Sequence, residues 1–163
     1  MSLATWYTDL DWLAAARDAA VAALKASAAF KRALGSDTIR TYDDPLIARD
    51  LVEPVDCPFC AVGIESADLG RINNGRPDDE KASLFIVLAT ADNSLAAQAR
   101  LMLAARQALV DGWAEHFAPA RDGSLCNITF KSAPFIRVPS KEDARPIWVS
   151  ELSLLLWFEA PTV

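Results

Sequence analysis

The stretch Ser83-Leu84-Phe85-Ile86-Val87-Leu88-Ala89-Thr90-Ala91 decides the fold. From Leu84 to Leu88 no polar residue interrupts it, the pattern of a strand that is covered on both faces or lies centrally in a sheet. Asp92, Asn93 and Ser94 come next, and each carries a short side chain that accepts hydrogen bonds from the first free N–H groups of a helix. Beyond them Leu95, Ala99, Met102, Leu109, Trp113 and Phe117 recur at helical spacing. This predicts a helix over about 94–117 with those residues on its buried side, ended by Pro119. A central strand running through a cap into an amphipathic helix is the nucleus of a mixed α/β domain.

Upstream of this unit, Gly70 to Lys81 crowds Asn73, Asn74, Gly75, Pro77, Asp78 and Asp79 together and reads as a turn-rich exposed loop. Short strands are expected at Ile39–Tyr42 and Ala61–Glu65, separated by a stretch holding Pro45, Pro54 and Pro58. From Asp9 to Leu34, Leu10, Leu13, Ala16, Ala20 and Leu24 share a helical stripe, and Gly35 stops it. The spacing predicts one long helix, and its alanines suit close packing on a flat neighbour such as a sheet.

Downstream, strands are expected over Asn127–Lys131, Phe135–Val138 and Ile147–Glu159. In the last of these Trp148, Leu152, Leu154, Leu156 and Phe158 share one parity and form the core face. Pro139 to Pro146 holds Lys141, Glu142, Asp143 and Arg145, a charged tip for a long hairpin over about 127–159. The fold class that emerges is α/β of the α+β kind: a mostly antiparallel sheet flanked by two main helices, closed by a C-terminal hairpin, in one domain spanning 1–163.

Composition narrows the function classes. A chain of 163 residues with 52% hydrophobic and 23% charged residues has enough apolar material for one core. A formal net charge of -6 argues against general affinity for nucleic acid, which depends on cations displacing counterions from phosphates. Asp9 and Asp11 stand where a secretory leader needs positive charge, so no signal peptide is expected. The strongest apolar run, Leu152 to Phe158, falls well short of the roughly 18 residues of a membrane span, so no membrane partner is expected. Without a secretory leader, the sequon Asn127-Ile128-Thr129 carries no meaning.

Chemistry-bearing motifs are few. Cys57-Pro58-Phe59-Cys60 has the spacing of a redox couple or of half a zinc site. A redox role needs the pair at a helix N-terminus, whereas Ala61, Val62, Gly63 and Ile64 read as a strand. A zinc site would have to recruit His116 and Cys126, and no second knuckle is present to supply them. The ordinary reading of such cysteines is as small buried apolar residues. His116, the only histidine, reads as a helix C-terminal residue favoured by the dipole. Asp78, Asp79 and Glu80 lack the alternating ligands and glycine of a calcium loop and read as solvated. No catalytic residue, cofactor or metal is therefore expected. Two segments suit contact with other proteins: Trp6 and Tyr7 ahead of the first helix, and the hairpin tip with Lys141, Glu142, Asp143 and Arg145.

The element order resembles the tail terminator family of tailed phages, the minor tail protein U-like ring proteins. The resemblance is carried by Leu13-Ala14-Ala15-Ala16 through Leu24-Lys25, by Cys57-Pro58-Phe59-Cys60-Ala61-Val62-Gly63-Ile64, by Ser83 to Ala91 running into the Leu95 to Phe117 helix, and by Leu152 to Glu159. The family's first helix is shorter, and the C-x-x-C pair is a further departure from its pattern. What the resemblance implies is a virion protein of the tail or neck, assembled in the host cytoplasm. Its partners would be further copies of itself in a hexameric ring, the tail tube protein, and the head connector or head-completion protein, with DNA passing through the lumen unbound. The alternatives are another neck or tail-tube component and, from a different class, a small intracellular metal-binding or thiol enzyme using Cys57 and Cys60.

Overall fold

The structure is a computed structural model that describes residues 11–41, 57–68, 72–73, 76–77, 80–91, 94–117, 125–130, 135–138 and 146–158. The run that decides the fold lies in β5 (Glu80–Ala91), with β2 (Phe59–Asp68) antiparallel on one side and β8 (Ile147–Phe158) antiparallel on the other. β1 (Arg40–Thr41) extends the sheet beyond β2 as its parallel neighbour. The outer edge of β8 is shared: β7 (Phe135–Val138) pairs with Ile147–Ser150, and β6 (Leu125–Phe130) pairs with the stretch from Leu154 to Phe158. The expected mixed fold with a mostly antiparallel sheet is what the chain adopts. β7 and β8 make the expected hairpin, with Val138 opposite Ile147, and its tip at 139–145 lies outside the described residues.

Burial explains the unbroken apolar run. Leu84, Ile86 and Leu88 point to the helical side, where they join Cys60 and Val62 of β2 and Leu152, Leu154 and Leu156 of β8. Phe85, Val87 and Ala89 point the other way into a second cluster with Phe59, Ala61, Ile147 and Val149. With both faces of β5 withdrawn from water, period-2 alternation has no reason to appear. Phe85 sits between Gly63 and Ser153 in the register, two small neighbours that leave its ring room. The core face expected for β8 holds at Leu152, Leu154 and Leu156, while Ile147 and Val149 are buried on the opposite face.

The helical layer departs from the sequence reading in two places. Instead of one helix through 9–34 the chain forms α1 (Asp11–Ala26) and α2 (Ala28–Leu34), broken at Ser27. Ser27 takes an extended conformation (φ -80°, ψ 113°), and its Oγ accepts a hydrogen bond from Phe30 N at 3.2 Å, which caps α2. The turn lets α2 bury Phe30 and Leu34, and Gly35 closes it with φ 72°, a left-handed conformation in which glycine carries no Cβ penalty.

The second departure is the phase of α3 (Leu95–Asp111). Its buried face runs through Gln98, Leu101, Ala105, Ala108 and Leu109, whereas Leu95, expected inward, is 42% exposed. Apolar residues ring this helix, so periodicity alone does not choose its inner side. After Gly112 the chain continues as a π-helical segment, Trp113–Phe117, which buries Phe117. A Cβ built on Gly112 would lie 2.6 Å from Ala23 Cβ, so α1 crosses the end of α3 at a distance that only glycine allows. The Gly70–Lys81 region holds a two-stranded ribbon, β3 (Ile72–Asn73) against β4 (Arg76–Pro77), where a loop was expected.

Candidate functional site

The cysteine pair sits where β2 begins. Cys60 is inside the strand, wholly buried on the helical side of the sheet, and burial pushes its thiol far above the ordinary range. A thiol held in its protonated form is neither a nucleophile nor a ready metal ligand. Cys57 precedes the strand and is half-buried. Cys126 occupies the irregularity in β6 where the register shifts between Leu125 and Asn127. His116 is on the π-helical segment, close over Gly112, with Nε2 3.9 Å from Glu115 Oε2. Among the described residues no three of His, Cys, Asp and Glu come together in a way that could hold a metal ion.

The other expected contact residues, Trp6, Tyr7, Lys141, Glu142, Asp143 and Arg145, lie outside the described residues. What the described surface offers instead includes singly exposed apolar side chains and two clefts. Leu95, Leu103 and Val110 stand exposed on the outer side of α3, and Phe135 and Ile136 on β7. The clefts lie on either side of Cys57-Pro58. One, of about 620 Å³, opens between α2, α3 and the end of β5, with Ala29 and Ala33 on one wall, Ala97 and Ala104 on the other, and Arg32 and Arg100 beside them. The other, of about 320 Å³, reaches from Gly35 to Arg40, whose guanidinium lies 5.1 Å above the Phe59 ring.

The geometry of the larger cleft depends on a buried polar bracket that sequence reasoning missed. Gln98, fully buried on α3, donates from Nε2 to Leu88 O at 2.9 Å and accepts from Thr90 Oγ1 at 2.8 Å. Its amide thereby ties the first turns of α3 to the end of β5, while Ser94 Oγ accepts from Ala96 N to cap the same helix. The signal was present as a glutamine three residues before Leu101 and seven before Ala105, an inward position in a polar disguise. Arg32 and Arg100 project as exposed side chains, and neither forms an ion pair with a described carboxylate.

Among the described residues lining the larger cleft, no nucleophile, base and orienting group stand together. No protein-family model matches the chain, and no curated protein matches it in sequence. The fold is similar to that of a chain in the solved structure "Virion of native gene transfer agent (GTA) particle", with a TM-score of 0.55 and 18% sequence identity over 90% of this chain and 97% of that one.

Proposed function

We propose that the chain is a structural protein of a phage-like virion and serves as its tail terminator. In this role copies form a ring, a hexamer by resemblance to the family, that caps the finished tail tube, ends its polymerisation and presents a new face to the head connector. The observation that carries the virion reading is the fold likeness to a chain of a gene transfer agent virion, which extends over nearly the whole of both chains. The terminator role adds the family resemblance in element order. Two features of the chain support an assembly role over a chemical one. The Cys60 thiol is locked in its protonated form, and large apolar side chains stand in water on α3 and β7.

Physically, a growing tube exposes subunit edges that recruit the next ring. A bound layer of a different protein satisfies those edges without repeating them, and growth stops. Trp6, Tyr7 and the tip residues Lys141, Glu142, Asp143 and Arg145 are the segments proposed to reach neighbours. An acidic ring repels phosphate, so DNA slides through it without being held. The test is to let tube protein from the same particle polymerise with and without this chain. Arrested tubes of restricted length, with the chain bound at one end, are expected. Tubes that grow unchanged and pull down none of the chain would contradict the proposal.

A further inference from the structure

We draw no further inference here: the strongest candidate, the alanine-walled cleft between α2 and α3 that Arg32 and Arg100 line, adjoins Asp56 and Asp92, which lie outside the described residues, and nothing in the structure shows what covers it.

Discussion

Replacing Gln98 by leucine should destabilise the fold by about 2–3 kcal/mol, and replacing Thr90 by valine as well should recover most of that loss. Gln98→Leu removes the 2.8 Å and 2.9 Å bonds of the bracket. Each contributes about 0.5–1.5 kcal/mol net, and the Thr90 hydroxyl, 4% exposed, loses its acceptor at a further cost of about 1–3 kcal/mol. Burial of leucine in place of an amide offsets roughly 1 kcal/mol of this. Thr90→Val alone removes only the 2.8 Å bond, because Gln98 Nε2 keeps Leu88 O, so a loss of about 1–2 kcal/mol is expected. In the double variant no unmatched group remains on either side chain, and the loss should fall to about 1 kcal/mol. Urea unfolding reads this directly: the Gln98→Leu midpoint should drop by about 1 M with an unchanged slope, and the double variant should return most of the way. Losses that simply add would show that Gln98 and Thr90 are not partners, and the account of how α3 is fixed to β5 would fail.

Three further predictions follow from the packing. Gly112→Ala puts a methyl group 2.6 Å from Ala23 Cβ, which a helix crossing cannot absorb without shifting, so a loss of about 1–3 kcal/mol is expected in the same assay. At Gly35 nothing obstructs a Cβ, but φ is 72°, so Gly35→Ala should cost about 1 kcal/mol by backbone strain and Gly35→Asn less. Cys60 gives a pH signature: the folded chain keeps its thiol proton, while an unfolded thiol releases it above about pH 8.5. Its contribution is therefore complete below that pH and is lost as pH rises, at up to about 1.4 kcal/mol per unit. Cys60→Ala should flatten the alkaline fall in unfolding free energy, and an equal fall in both proteins would contradict the burial of the thiol.

The parts of the fold legible from residues alone were those where one physical demand dominates. An apolar run with no polar break has few homes other than a doubly covered strand, and β5 took that place. Gly35 ended its helix because a left-handed terminal residue favours glycine. The strand after Cys60 was legible for the same reason, and it removed the helix N-terminus that thiol chemistry would need. The Ser27 break was hidden because alanine on both sides favours helix equally, and only the burial of Phe30 and Leu34 repays the turn. The phase of α3 was hidden because apolar residues surround it, and Gln98, the one inward polar residue, misdirects any reading by hydropathy. The cleft left no local trace either: alanines and two arginines on separate helices become a site only when α2 and α3 are laid side by side.

Deletion of this chain from the particle that encodes it, followed by electron microscopy of the products, tests the central claim most directly. The account predicts filled heads without tails beside unattached tails of uncontrolled length, both corrected when the chain is resupplied. Normal particles with tails of normal length, produced in its absence, would contradict it.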